Sequence, residues 1–463
     1  MFLFTLVFIT SFVVAVKEIY GGNRQGIFVF LIFGLSIYTT AMSVAYLLGL
    51  KSIIPFFQFF KEILVLIVLA LNIVNLKTRP RFHLLDYALL AFLAYTCLYA
   101  ILPIGEQSFV NRLIALKSTS FFVVVYFTGR LFDVRTIYIS KYFNYVILLT
   151  IAAGAILVME VVTDRQLQTQ TGYADYTYYF FNFEPSGNYG LSWTFESEGG
   201  YKRFASFFAN PLEHAAATLL ALSVIGGLYT RDDNKLSINT MGILALGASF
   251  LSILFALSRA PLASYFLIIY AWALITKRKY ITKTIHLGAG LAGVYLIYLF
   301  TRFESNNTGL VEVLMNTVDF SNPSSVGHLV EWVQGILAMI EKPLGLGLGS
   351  SGRVGGSLGE NIGGENQFII IGVQAGVLAL LLYMYIYVVF IKTGLKWLPK
   401  LKGKERKLCM TVVLLKIGLS IPLFTSEVES SSYISYMNWF LSGLLISVIM
   451  QPQLPQLYTE HDN

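Results

Sequence analysis

An all-α polytopic membrane protein is the fold class that this sequence predicts, and three properties require it. The 463 residues are 56% hydrophobic and 13% charged, with a mean hydropathy of +0.66, so polar groups are too few to cover a soluble core of that size. The apolar stretches are continuous instead of alternating, and in lipid only helices and closed barrels satisfy their own backbone, so the spans are helices. Basic residues collect in short connections between the stretches. The formal charge of +7 therefore reads as a cytoplasmic-side excess and not as a nucleic-acid surface.

Runs long enough to cross about 30 Å of hydrocarbon occupy 2–20, 26–49, 53–75, 84–104, 113–131 and 136–162. A second set occupies 211–229, 238–257, 260–276, 284–301, 367–391, 409–425 and 433–450. The expectation is about twelve or thirteen transmembrane helices in one domain covering 1–463, with no period of a solenoid or propeller. The first run lacks a basic leader and a small-residue cleavage site before Lys17, and is read as a retained span. Lys77, Arg79 and Arg81 form one basic cluster; Lys277, Arg278, Lys279 and Lys283 form another; Lys392 to Lys407 holds a third. All three fall on one side when the spans are counted, which is the cytoplasmic side. The same count turns outward the loops 163–210 and 302–366 and the turn Leu257-Ser258-Arg259-Ala260.

The first outward loop is rich in aromatic residues, from Tyr173, Tyr176 and Phe181 to Trp193 and Tyr201, interleaved with polar ones. Two uses fit: a platform on which sugar rings stack, or a belt at the water–lipid interface. The second loop begins at Phe303 and carries an amphipathic element from about Val326 to Ile340. At helical spacing Leu329, Val330, Trp332, Val333, Ile336, Leu337 and Ile340 share one face, and His328, Glu331 and Gln334 lie along the other. Pro343-Leu-Gly-Leu-Gly-Leu-Gly then stops the helix, and Arg353 and a glycine-rich run lead to Glu365.

Charges at membrane depth or just outside it tend to be paired or functional. Arg259, in a Ser-Arg-Ala-Pro turn, and Arg203, ahead of the helix start at Asn210-Pro211, are each suited to hold a phosphate bidentately. Each is equally suited to reach lipid headgroups. Glu213 and His214 make either a proton-handling pair or a capping carboxylate beside a packed histidine, and Lys61, Glu62 and Asp86 are intramembrane charges too sparse, and without the pairing between halves, to outline a transporter's ion path. No nucleotide, metal or nucleophile-elbow motif is present, and Cys97 and Cys409 lack metal-type spacing, so no cofactor and no metal are expected.

Three stretches from Arg203 onward resemble the O-antigen polymerase and ligase superfamily of bacterial envelope polysaccharide assembly. Arg203-Phe-Ala-Ser-Phe-Phe-Ala-Asn-Pro211 resembles its arginine-led motif at a span entrance, and Leu257-Ser-Arg-Ala-Pro261 its outward Ser-Arg turn. His328 to Gly352, followed by Glu365-Asn366 and Gly376, resembles its amphipathic helix, Pro-Gly turn and terminal motif. Glu365 stands where ligases carry a histidine and His328 where relatives often carry arginine, which favours a polymerase over a ligase.

The resemblance implies a metal-independent GT-C glycosyltransferase in the bacterial inner membrane. Such an enzyme joins undecaprenyl-pyrophosphate-linked repeat units into O-antigen, capsular or exopolysaccharide on the outward face. It implies that Arg203 and Arg259 grip the pyrophosphate with Arg353 assisting, that Glu365 or His328 activates the acceptor, and that Asn366 and Glu331 bond sugar. The implied partners are the lipid-linked glycan donor and acceptor, membrane lipids and a chain-length regulator. An O-antigen ligase, and from another class a lipid-linked sugar flippase, are the alternatives.

Overall fold

The computed structural model describes residues 1–76, 79–187, 189–197, 200–301 and 323–451. Lys77 of the first basic cluster and the start of the second outward loop, 302–322, lie outside the described residues.

Each of the thirteen apolar runs folds as helix. The first half holds α1 (Phe2–Tyr20), α2 (Arg24–Gly34), α3 (Tyr38–Leu47), α4 (Ile54–Val74), α5 (Leu84–Ile101), α6 (Phe109–Arg130) and α7 (Ile139–Thr163). A short α8 (Tyr173–Phe181) follows in the first loop, then α9 (Pro211–Tyr229), α10 (Thr240–Phe255), α11 (Arg259–Ile275) and α12 (Lys279–Thr301). The remainder is α13 (Pro323–Glu341), α14 (Gly352–Ser357), α15 (Gln367–Trp397), α16 (Gly403–Leu419) and α17 (Ser432–Met450). Among the described residues nine helices are long and apolar enough to cross a membrane, ten when the pair α2 and α3, bent by 66°, is counted as one span. Helices α10 and α11, at 16 and 17 residues, are shorter than the expected spans. The chain is thus an all-helical, multi-pass membrane protein, with two isolated β-bridges among the described residues.

The centre is α17, buried on every side and enclosed by α6, α9, α15 and α16. Glycines set the closest crossing: a Cβ on Gly443 would collide with the Tyr126 carbonyl oxygen of α6, and one on Gly129 with that of Phe440. Small residues let membrane helices approach this closely without a hydrophobic driving force.

Helix α15 is broken. Gly376 has φ 83° and ψ 172°, a conformation essentially confined to glycine, and the helix resumes after it. The segment 343–347 threads into the gap: Leu346 N–H donates to Val373 O (2.7 Å), Gly347 N–H to Gln374 O (3.1 Å), and Val377 N–H to Pro343 O (3.0 Å). Tyr99 of α5 donates its hydroxyl to Leu344 O and holds the segment from behind. The Pro-Gly turn is therefore a structural part of a transmembrane helix and not a free hinge.

The basic connections meet at one end. Gln25 bonds Thr136 O, Arg278 bonds Asn234 O, and Lys404 bonds Ile137 O. The opposite end holds the first long loop and the described part of the second, and there Phe204 N–H donates to Phe255 O just ahead of α11. Replacing Gly376 by alanine forces an L side chain into a left-handed backbone against Pro343 O and Leu344 C. Gly376→Ala is expected to lower stability by about 2 kcal/mol or more, read as a fall in the thermal midpoint of the purified protein in detergent.

Candidate functional site

The end away from the basic connections contains two adjoining cavities of about 450 and 270 Å³, walled in common by Glu213, Arg353 and Ser430. The first loop forms their roof because buried polar side chains tie it down. Glu160, at the end of α7, accepts from Leu167 N–H (2.7 Å) and Ser206 N–H (2.8 Å). Gln166 donates to Phe195 O and Arg203 O, and Gln168 to Ser206 O and Phe208 O. The loop aromatics divide among three uses. Tyr173, Tyr176 and Phe195 are buried, Tyr178, Tyr179, Trp193 and Tyr201 are exposed, and Phe181 and Phe183 face Arg353.

Arg353 sits in the first turn of α14 with its guanidinium 5.4 Å from the Phe181 ring centre and 5.5 Å from that of Phe183. Among the described residues no carboxylate forms an ion pair with it, although acidic groups stand close by. Its backbone N–H donates to Glu427 Oε2 at 2.6 Å. An arginine held by aromatic faces keeps its fork of donors available for an oxyanion.

Glu427 and Glu365 share the larger cavity with Arg353. Burial pushes the Glu427 carboxyl up to about 7, opposed by the bond from Arg353 N–H and the Arg353 charge, and reinforced by Glu365 and Glu429. Glu365 is accessible from the cavity yet has protein on most sides. That crowding raises its pKa, His328 and Arg203 pull it down, and Glu331 adds to the rise. Glu331 lies 3.9 Å from His328 Nδ1, and its carboxyl packs so closely on Gly364 that a Cβ there would collide. His328, Glu331 and Arg203 thus surround Glu365 electrostatically, with Glu365 lining the larger cavity and Arg353 lining both. Arg259, exposed at the start of α11, belongs to the same end without lining either cavity.

Other expected roles take structural form. Asn366 is buried, and its Oδ1 caps α15 by accepting from Phe368 N–H (3.0 Å) and Ile369 N–H (3.2 Å). The amphipathic element is α13, which packs Gly335 and Met339 against Ile369 and Gly372 of α15 and leaves Leu329, Val333, Ile336 and Leu337 outward. His214 is buried and stacked on Phe208, with Nδ1 3.2 Å from Phe204 O, whereas the cap of α9 is Asn210, which frees Glu213 to line both cavities. Asp86 lies towards the basic end, paired with Arg130 at 3.1 Å.

Sequence reasoning missed Glu427 and Glu429. Glu429 accepts from Tyr383 Oη (2.7 Å), Trp439 Nε1 (2.8 Å) and Ser435 Oγ, and so forms the fixed wall of the smaller cavity. The available signal was two carboxylates in the short serine-rich connection Ser426 to Ser432, between two apolar runs. Lys61, Glu62 and Lys117 complete that cavity, with Glu62 Oε1 3.5 Å from Lys61 Nζ and 2.9 Å from Lys117 Nζ. Among the described residues no group of three or more histidine, cysteine, aspartate or glutamate side chains is arranged to hold a metal ion.

The fold and site together define a multi-pass helical membrane protein with a charged, two-chambered cavity at one end. Comparison with models of known families gives no match, and no curated protein is significantly similar to the chain.

The Glu427 carboxyl has a folded value of about 7 against an ordinary 4.5, so the folded state holds a proton that the unfolded chain releases between those values. That contribution is fully present below the lower value and lost as the pH rises through the upper one. Relative to Glu427→Gln, the wild type is therefore expected to lose thermal stability between about pH 5 and 8, checked by melting both proteins across that range.

Proposed function

We propose that the chain is a membrane glycosyltransferase of the GT-C type that polymerises undecaprenyl-pyrophosphate-linked oligosaccharide repeat units. The observation that carries this reading is Arg353, a guanidinium clasped by two phenyl rings on the wall between two cavities, with Glu365 and Glu427 lining the larger one beside it. The basic connections gather at the other end, which by the positive-inside tendency supports the reading that the cavities face outward.

In this reading the donor's pyrophosphate lies against Arg353, and the acceptor hydroxyl enters beside the carboxylates. The hydroxyl oxygen attacks the anomeric carbon and gives its proton to Glu365, with Glu427 as a second acceptor held near neutrality. As the new carbon–oxygen bond forms, the bond from the anomeric carbon to the pyrophosphate oxygen breaks, and the lipid pyrophosphate leaves with the electron pair. Arg353 stabilises the negative charge that grows on the leaving group. Arg203 and Arg259 serve as outer guides for the same anion, and His328 with Glu331 sets the charge state of Glu365.

A transporter of the same lipid-linked sugar is the second reading, favoured by the Lys61–Glu62–Lys117 cluster in the smaller cavity. Purified protein supplied with lipid-linked repeat units separates the two, because polymer formed without an energy source supports the enzyme. Arg353→Ala is expected to cut polymerisation by about a hundredfold or more while the protein remains folded and inserted. Glu365→Gln is expected to cost about a hundredfold through loss of the base. Normal chain lengths in both variants would sink the enzyme reading.

A further inference from the structure

At the basic end is a cavity of about 960 Å³ that the proposed chemistry leaves unused. The guanidinium-bearing residues lining it are Arg24, Arg79, Arg81, Arg130 and Arg135. Two of them are neutralised: Arg130 by Asp86, and Arg135 by both oxygens of Asp133 (2.9 and 3.0 Å). Among the described residues no carboxylate pairs with Arg24, Arg79 or Arg81. Three cations therefore share one concavity, an arrangement that repels itself unless an anion joins it.

The floor is built and not merely solvated. Arg24 Nη1 donates to Asn72 Oδ1 (2.9 Å), and Asn72, buried, donates in turn to Thr128 O (3.1 Å). Arg130, also buried, spans from Asp86 to Arg81 O (2.6 Å) and so fixes the segment that carries Arg79 and Arg81. The walls come from the ends of helices: Arg24 opens α2, Arg130 closes α6, and Asn75 and Gln451 follow α4 and α17. Where spans end, headgroups begin, and Leu76, Phe132 and Met450 add apolar surface to the same cavity.

We infer that this cavity is a binding site for a phosphate-bearing ligand, and that the headgroup of an anionic phospholipid is its natural source. Basic pockets between transmembrane helices on the cytoplasmic side suit such headgroups, because guanidinia match phosphate oxygens in pairs and the acyl chains stay in the bilayer. A zwitterionic headgroup brings its own cation into the same concavity and is disfavoured.

The test uses the full-length chain stripped of lipid in detergent, with its thermal midpoint followed as phosphatidylglycerol, phosphatidylcholine or inorganic pyrophosphate is added. A saturable rise with phosphatidylglycerol and none with phosphatidylcholine is expected. In Arg79→Gln/Arg81→Gln, both exposed positions, half-saturation is expected to need about twenty-fivefold more lipid, at roughly fivefold per arginine. Arg24→Gln, which keeps an amide within reach of Asn72, is expected to need about fivefold more, while Lys277→Gln/Lys279→Gln, outside the cavity, behaves as wild type. A rise with pyrophosphate in place of the lipid would keep the phosphate site and assign it to a soluble ligand. Absence of any saturable rise in the wild type, or identical curves for wild type and the Arg79/Arg81 variant, would overturn the proposal.

Discussion

The structure depends on how backbone groups are satisfied where α15 breaks. In lipid an unpaired peptide group costs several kcal/mol, so a gap in a transmembrane helix persists only if other protein atoms fill it. Here the filling is main chain. Leu346 and Gly347 take the carbonyls of Val373 and Gln374, and Pro343 O takes the amide of Val377. Gln374 adds a side-chain bracket, accepting from Gly349 N–H (2.9 Å) and donating to Ser351 O (3.1 Å). The segment bearing Arg353 is thereby registered against α15, and Asn366 at the head of that helix registers Glu365.

That anchoring explains how a glycine-rich stretch can hold a charged site. Gly345, Gly347 and Gly376 are placed where side chains would collide with backbone, so the flexibility implied by composition is used up in close packing. Arg353 then meets two phenyl rings instead of a carboxylate, and Glu427 bonds its backbone amide instead of its guanidinium. The cation and the nearby carboxylates are held without cancelling one another, the condition for binding an anion and accepting a proton in one cavity.

The protein separates its charges by depth and by end. At one end carboxylates, one clasped arginine and the Lys61–Glu62–Lys117 cluster line the cavities; at the other end, arginines dominate. Between them the helices are apolar, interrupted by Lys416, whose ammonium lies 3.7 Å from the Trp439 ring centre, while Asp86 pairs with Arg130 at the basic end. Such arrangements satisfy the requirement that intramembrane ions be paired or stabilised by aromatic faces.

The helical runs, the clustering of basic connections at one end and the amphipathic character of α13 were legible because each rests on local composition or spacing. Glu365, Arg353 and His328 were legible as candidates, being polar residues set in an unusual glycine-rich stretch. Glu427 was not, since it gains its role from Arg353, 74 residues away in sequence. The bend between α2 and α3 was also hidden, as nothing in that apolar run marks a break. Sequence by itself determined a multi-pass helical chain, because lipid demands internally bonded spans from any stretch of that hydropathy. Tertiary structure decided that the Pro-Gly turn enters a broken helix, that Asn366 caps it, and that Arg353 faces Glu427. Those outcomes depend on which distant backbone and side-chain groups meet, and no local pattern carries that information.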